Sequence, residues 1–481
     1  MKLKNIISAI AFGVLTLTMT GCDSYLDIDP ENKTPDTKVD YTNLDNMYMP
    51  VSGVYAKVRT GACHWIIWPL STVRDDDMWS GRLDDQQLLV DFGNYKYDNS
   101  FWGLNEMWNQ YYGIVKMANS ALESLANYAA NTTSETELKR YRSYCGETRF
   151  IRAYAYYRLS QAFGDVTIVE SNSQTDLTRS KRATVQKYML DDLQFAIDHC
   201  ERKRPNEMDH FGAVTAYTAE LLAAKIHLER EEWNDVETLT ADIINSGKFS
   251  LYPDYYELFK IKGKECDESL FEVQCTDFGQ SSGDMVDVDQ WFVFQGPGSM
   301  GGWNFMRYQP DFEQWAVQRG ESVRATTTFM EGNSITPSGD EIGGKSGEYF
   351  NGKAYTPRNE LTDGRTKYGA NNNVRVFRYA DVLLMNAEAK IRQGKNGDEP
   401  FNLVRQRAKM QELTNVTVDQ VIDERRMEFA GEWGERYNDL VRTGSAKTVL
   451  ANDGWSEEKT YYPLPFTQLN DVPALKNAPK D

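Results

Sequence analysis

From about Tyr41 to Ser246, apolar residues recur every three or four positions, the spacing of amphipathic α-helices. Trp108, Tyr111, Tyr112, Val115 and Ala118 fall on one helical face. Tyr144, Thr148, Ile151, Ala155, Leu159 and Ala162 fall on another. The same segment carries a second apolar face in Phe150, Ala153, Tyr154 and Tyr157, and a helix apolar on two sides must lie between neighbours. The period continues through Tyr188–Ile197, Ala213–Leu228 and Trp233–Ile244. Links such as EREEWND (229–235) are short, which predicts antiparallel helical pairs. Stacked pairs are the unit of tetratricopeptide-like repeats, and Ala219–Phe249 is the clearest single unit. A second helical stretch covers about Tyr379 to Thr443, with Val382, Leu383, Met385, Asn386 and Ala389, then Phe401–Ala408 and Val421–Phe429.

Between these stretches, Glu268 to Arg375 has no sustained period and is rich in Gly, Asp, Asn, Ser and aromatic residues. Ser269–Cys275 predicts a short strand, and the rest predicts long ordered loops, which in compact proteins are often functional. The expected fold is mainly α. It is a TPR-like superhelix of helical hairpins (about 41–250 and 379–443) with a loop-rich ligand-binding portion (about 268–375), in one domain spanning 41–481.

The first 21 residues change the setting. Lys2 and Lys4 precede an uncharged apolar run, Ile6 to Thr18, and small residues follow up to Gly21-Cys22. This is the pattern of a signal peptide, too short for an ordinary membrane span. Met19-Thr20-Gly21-Cys22 looks like a bacterial lipobox, so cleavage before Cys22 and a lipid on its sulfur are expected, with 22–40 as a lipidated linker. Acyl chains bury apolar area at about 0.8 kcal/mol per CH₂, enough to hold a multiply acylated chain on a membrane.

Removing residues 1–21 takes away two lysines and no acids, moving the formal charge from −18 to −20. So acidic a chain is repelled by nucleic acid and by anionic headgroups, which excludes nucleic acid as a partner. Cys63, Cys145, Cys200, Cys266 and Cys275 remain beside Cys22, an odd number; Cys266 and Cys275 stand close enough in sequence to close a short loop. There is no C-x-x-C, and the histidines at 64, 199, 210 and 227 are scattered, so no zinc site and no cofactor are expected.

Gly339–Ser346 reads GDEIGGKS and fits G-x-x-x-x-G-K-[ST], the phosphate-binding loop of nucleotide hydrolases. That loop works only between a strand and a helix, where backbone N–H groups and the helix N-terminus meet the phosphates. Here MEGNSITPS precedes it and GEYFNGKAYTPRN follows, with Gly and Pro against a helix, so a polar surface loop is the expectation. No G-x-S-x-G or H-E-x-x-H occurs, and no enzyme is expected.

Five segments together resemble one family. These are GETRFIRAYAYYRLSQAFGDVTIV (146–169), VFRYADVLLMNAEAKIRQG (376–394), FNLVRQRAK (401–409), IDERRMEFAGEWGERYNDLVRTG (422–444) and the tail YYPLPFTQLNDVPALKNAP. In order and placement they are similar to the SusD/RagB outer-membrane lipoproteins of Bacteroidetes, over nearly the whole mature chain. Thr167 stands where that family often has Pro, Thr148 replaces an Ala, and Trp433-Gly434 stands where one Gly is common. The resemblance implies a lipoprotein facing the exterior of the cell outer membrane. It would capture oligosaccharide and pass it to a SusC-like TonB-dependent transporter, with the loops carrying the ligand. The RagB branch implies an alternative cargo, oligopeptide; a module that binds through its helical repeats alone is a third reading.

Sugar capture needs flat aromatic faces for C–H surfaces and amide, acid or guanidinium groups for hydroxyls. The chain has 11 Trp and 27 Tyr. One group predicted in loops is Trp65, Trp68, Trp79, Arg82 and Trp102; the other is Trp291, Phe294, Trp303, Tyr308 and Trp315. The expected platform joins Trp79, Arg82, Trp102, Trp291, Trp303 and Tyr308, whereas Trp108 is expected in the core. RDDDMWSGRLDDQ (74–86) crowds five aspartates around Trp79; a solvated acidic loop or one bonding sugar hydroxyls is expected, with oxygen ligation of Ca²⁺ as the alternative. Glu424, Arg425, Arg426, Glu428, Glu432, Glu435, Arg436 and Asp439 alternate in sign at helical spacing and predict ion pairs on and between helices, as do Glu147, Arg149 and Arg152.

Overall fold

The computed structural model describes residues 39–80, 85–275, 290–361 and 371–481. The chain divides into two units, residues 1–46 and 47–481, and the elements below belong to the second. Its first helices are α1 (Met49–Ala62), α2 (Ile67–Thr72), α3 (Gln87–Gly93), α4 (Trp102–Ala129), α5 (Glu135–Phe163), α6 (Arg182–His199), α7 (Ala216–Glu229) and α8 (Trp233–Asn245). On α4, Leu104, Met107, Trp108, Tyr111, Tyr112, Val115 and Ala118 are buried, a stripe at helical spacing. On α5, burial is almost continuous from Cys145 to Phe163, because the helix is packed between α4 and α6. It stops at Gly164, whose φ of +69° suits glycine. Thr215 caps α7 by accepting from the Thr218 N–H at 3.3 Å. The α7–α8 hairpin is the unit predicted at 219–249, and the fold is mainly α with TPR-like helical pairs.

The second helical stretch comprises α11 (Tyr379–Arg392), α12 (Asp398–Arg407), α13 (Val418–Glu428) and α14 (Glu435–Arg442), preceded in the intervening segment by α9 (Pro310–Arg319) and α10 (Val323–Thr328). It packs directly on the first, α11 against α7 and α8. Polar groups fix that seam: Asn386 Nδ2 donates to Thr240 Oγ1 at 3.0 Å, and Lys225 Nζ donates to Asp381 Oδ2 at 2.7 Å.

The intervening segment differs from the expectation of loops. β1 (Met78–Ser80), β3 (Met306–Tyr308), β7 (Tyr349–Asn351) and β4 (Phe329–Glu331) form an antiparallel sheet in the order β1-β3-β7-β4. Its register pairs Trp79 with Arg307, Tyr308 with Tyr349, and Met330 with Phe350. β2 (Ser269–Val273) pairs antiparallel with β8 (Val374–Arg378) and is the strand the sequence predicts at 269–275. β5 (Ser334–Ile335) pairs with β6 (Glu341–Ile342). Strands of two or three residues are too short for a period of two to be seen, which is why the sequence reads them as loop.

GDEIGGKS starts in the turn of this β5–β6 hairpin and runs through β6. The Lys345 N–H donates to Glu348 Oε2 at 3.1 Å and the Gly347 N–H to Glu331 Oε1 at 2.9 Å. Within the motif the Gly343 N–H donates to Ser299 Oγ at 2.8 Å and the Asp340 N–H to Thr336 Oγ1 at 3.1 Å, so backbone donors that would hold a phosphate are taken by the chain's own side chains, and no helix follows. Cys266 and Cys275 are free thiols, so the short loop between them is not closed by a disulfide. No helix among the described residues is long and apolar enough to cross a membrane.

The alternating charges of 424–439 form buried ion pairs between elements. Arg378 holds Glu268 Oε1 at 2.6 Å, Glu428 Oε1 at 3.0 Å and Glu432 Oε1 at 2.7 Å. Arg425 holds Asp381 at 2.6 Å and Asp439 at 2.8 Å. Burial pushes the Glu428 carboxyl up, yet Arg407, Arg378 and Arg324 around it bring it down to about 2. On α5, Arg152 pairs with Asp192 at 2.8 Å as predicted, with Arg149 at 3.4 Å. Glu147 departs from the prediction: its Oε2 accepts from the hydroxyls of Tyr48 (3.0 Å) and Tyr55 (2.9 Å).

Candidate functional site

Three separate segments bring aromatic rings together. Trp65 lies in the α1–α2 connection, Trp102 opens α4, and Trp303 with Phe305 lies in the turn before β3. The Trp65 ring centroid is 5.7 Å from Trp102, 5.8 Å from Trp303 and 5.7 Å from Phe305. Trp303 and Phe305 are 5.4 Å apart. Trp65 is the hub, held on both sides, while Trp102 keeps 48% of its surface exposed.

The backbone of the 301–305 turn is fixed by hydrogen bonds. Asn304 N–H donates to Gly296 O at 2.9 Å and Phe305 N–H to Phe294 O at 3.0 Å. Gly302 allows this, since a Cβ there would run into the Gly296 carbonyl. Asn105 and Asn109 follow Trp102 at i+3 and i+7 and so share its edge of α4. Gln468 Nε2, from the C-terminal helix Phe466–Asp471, donates to Asn105 Oδ1 at 2.8 Å and Asn109 Oδ1 at 3.0 Å. An open indole face beside a row of amides can stack on an apolar ring face and bond the hydroxyls around it.

The structure thus joins Trp102 and Trp303 from the predicted set and keeps the others apart. Tyr308 is 1% exposed and its hydroxyl bonds Asn351 Oδ1 at 3.1 Å. It is packed under the sheet, and no surface platform includes it. Trp291 is half-buried, lying 4.8 Å from Trp433 and 5.9 Å from Trp68, on the inner side. Trp68 is buried with its indole N–H on the Glu432 carbonyl. Trp315, on α9, packs on Phe312 at 5.7 Å and under the Arg426 guanidinium at 4.7 Å. Trp108 is buried in the core. Arg82 and Cys22 lie outside the described residues. Phe305 was not singled out by sequence; its signal is the GGWNF string, an aromatic two positions from Trp303.

Trp79 sits elsewhere, in a cleft of about 310 Å³ with Asp75, Asp76, Asp311 and Asp453. The acidic run beside it is not a solvated loop. Asp75 accepts from the N–H groups of Asp77 and Met78, both at 2.9 Å. Arg436 Nε bonds Asp76 at 2.7 Å, and Arg426 bonds Asp76 and Asp77 at 2.9 and 2.7 Å. Burial and the neighbouring Asp77 and Asp76 push the Asp75 carboxyl well up; burial acts likewise on Asp76, but Arg436 and Arg426 hold it below the usual range. Asp77 Oδ2 is buried with no partner among the described residues. Elsewhere, His227, Glu232 and Asp235 bring ligand atoms within 4.8 Å of one another, although Glu232 is already taken by Arg230 Nε at 2.8 Å.

Comparison with known proteins places this architecture. Residues 313–480 match the family model described as the SusD family, and residues 24–226 match one described as starch-binding associating with outer membrane. A SusD-like protein of Bacteroides ovatus is 26% identical over 460 residues, covering 89% of this chain and 81% of that relative. Surface glycan-binding protein A from Bacteroides thetaiotaomicron has a similar structure, with a TM-score of 0.76 at 22% identity over 91% of this chain and 98% of that one. A protein of the same name and organism, solved in complex with laminarihexaose, gives a TM-score of 0.74 at 22% identity over 89% and 98%. The two matched regions take in all five segments that carry the sequence resemblance, and the chain belongs to the SusD/RagB family.

Proposed function

We propose that this protein is a cell-surface glycan-binding lipoprotein that captures oligosaccharides and delivers them to a partner SusC-like TonB-dependent transporter. The observation that carries the reading is the meeting of Trp65, Trp102 and Trp303 from distant segments, with Trp102 open to solvent beside Asn105 and Asn109. Core packing gives no reason to leave an indole on the first turn of a helix half exposed, whereas a sugar ring stacked on it would cover it. The laminarihexaose complex of a structurally similar protein supports glycan as the cargo class. The family model described as associating with outer membrane supports that location, and the Cys22 lipobox supports a lipid anchor there. In this reading the protein binds and releases sugar without chemistry.

The test is binding by the full chain in detergent micelles. Native affinity gels with polysaccharides and peptide digests identify the cargo class, and calorimetry with laminarihexaose and other oligosaccharides quantifies it. Trp102→Ala and Trp303→Ala each weaken glycan binding by roughly 1–3 kcal/mol, as truncated aromatic anchors do. Unchanged affinity in both variants removes the platform. Peptide binding with no glycan binding replaces the reading with the oligopeptide lid.

A further inference from the structure

A second groove lies between α1 and β2, and encloses about 400 Å³. Ser52, Tyr55, Ala56 and Arg59, spaced i, i+3, i+4 and i+7, form its α1 wall. Phe271 and its strand neighbours form the opposite wall, and the loop His210–Ala213 closes one end, with Phe211 61% exposed at the rim. The Tyr48 and His210 rings stack face to face at 3.3 Å, with Tyr144 edge-on to Tyr48 at 4.9 Å.

This wall is built rather than incidental. Tyr48 and Tyr55 both donate to Glu147, and the Val214 N–H donates to Tyr55 Oη at 2.8 Å, so both rings are locked from behind. Burial pushes the Glu147 carboxyl up to about 8, against the hydrogen bonds of Tyr55 and Tyr48, so at neutral pH it holds a proton and sets no negative charge behind the groove. Glu272 also lines the groove, but its carboxylate is taken by Ser269 Oγ at 2.7 Å and Asn373 Nδ2 at 2.7 Å.

Arg59 is the outlier. Among the described residues it makes no ion pair and no hydrogen bond, and its Nε is enclosed without a partner. Buried Arg378 and Arg425 are held by carboxylates, and buried Arg74 and Arg158, which have none, donate to backbone carbonyls; in a chain of formal charge −18, a guanidinium that faces an aromatic groove with neither is a binding group without its anion. Guanidinium geometry matches planar carboxylate and tetrahedral sulfate oxygens. A volume of this size, mostly apolar, with one cation unpaired among the described residues and a carboxylate already hydrogen-bonded by its neighbours, is that of a small-ligand site.

We infer that the groove is a second binding site, taking an anionic sugar unit whose ring lies against Tyr48 and Phe211 and whose carboxylate or sulfate bonds Arg59. The choice of a sugar rests on the capture reading above; the requirement for an anion rests on Arg59.

The test titrates the full chain with trigalacturonate, which carries carboxylates only, and with a κ-carrageenan tetrasaccharide, which carries sulfates only. Whichever binds names the anion. Two variants probe the groove: Arg59→Gln removes the charge, and Ala56→Phe fills the space from an exposed helix position. Each lowers affinity for the bound probe at least tenfold while the melting temperature stays within about a degree. Excess laminarihexaose, which reads the aromatic cluster, does not displace the anionic probe. The proposal is overturned when neither probe binds, when binding survives both variants within threefold, or when laminarihexaose displaces the probe. Anion binding without laminarihexaose binding counts against the Trp102 platform and leaves the groove standing.

Discussion

Replacing Arg378 by methionine takes the centre out of the buried ion cluster that ties the intervening segment to the helices. Arg378 leaves 2% of its surface exposed, and its guanidinium bonds three carboxylates and the Glu428 carbonyl. Glu268 would keep Arg407 at 2.9 Å, Glu428 would keep Arg407 and Arg324, and Glu432 would keep Lys353 at 3.0 Å. No carboxylate is therefore stripped bare, and methionine fills much of the vacated volume. The loss is that of one buried charge partner, about 3–5 kcal/mol, rather than of three. At a few degrees or less per kcal/mol for a chain this long, the melting temperature falls by roughly 5–10 °C.

Urea unfolding followed by tryptophan fluorescence, with calorimetric melting beside it, measures this. Two further results are required by the same reasoning. Lowering the pH to about 5 narrows the gap between variant and wild type, because the Glu428 carboxyl, which Arg378 helps hold down, rises without it and is relieved by protonation. Adding Glu428→Gln to the variant recovers part of the loss, since it removes a charge left under-paired. A cost below about 1 kcal/mol, or a gap that widens in acid, would refute the view that these pairs hold the fold. The stretch beside this cluster is also tied to the core: the Glu432 carbonyl takes the Trp68 indole, and the Gly431 carbonyl takes Asn351 Nδ2 at 2.7 Å.

Glu147→Gln tests the buried acid of α5. A folded pKa of about 8 against 4.5 is stability fully present below pH 4.5 and lost as pH rises through 8, at most roughly 5 kcal/mol for 3.5 units. The variant should therefore flatten the fall in melting temperature between pH 5 and 8, and an identical slope in both proteins would count against it. Gly431→Ala and Gly247→Ala separate collision from backbone strain. Both glycines have positive φ, +67° and +62°, but only at 431 would a Cβ meet Tyr308 and Asn351. Chemical denaturation should give about 1 kcal/mol for Gly247→Ala and several for Gly431→Ala. Mg-ATP should produce no thermal shift, and Lys345→Ala should leave stability unchanged, since backbone donors of GDEIGGKS are already taken by Thr336, Ser299 and Glu348.

The long helices were legible because a helix repeats its environment every 3.6 residues, so the faces of α4 and the double face of α5 are written in residues 108–118 and 144–162. The family was legible for a related reason: its motifs are runs of core and ion-pair positions on those helices. The sheet strands were not, because three residues hold no period. Nor could sequence choose among the tryptophans. An indole serves equally in a core or on a platform, and which of these Trp102, Trp303, Trp291 and Trp79 became depends on segments hundreds of positions away. Tyr308 lies in a short strand of the same segment as Trp303, yet Asn351 and the sheet seal it in, while the turn at 301–305 turns Trp303 toward Trp65. The same holds for charge: the alternating acids and bases of 424–439 announce ion pairs, but Arg425 reaching Asp381, Glu147 taking two tyrosines, and Arg59 left without a partner among the described residues are decided by what the tertiary fold brings within about 3 Å.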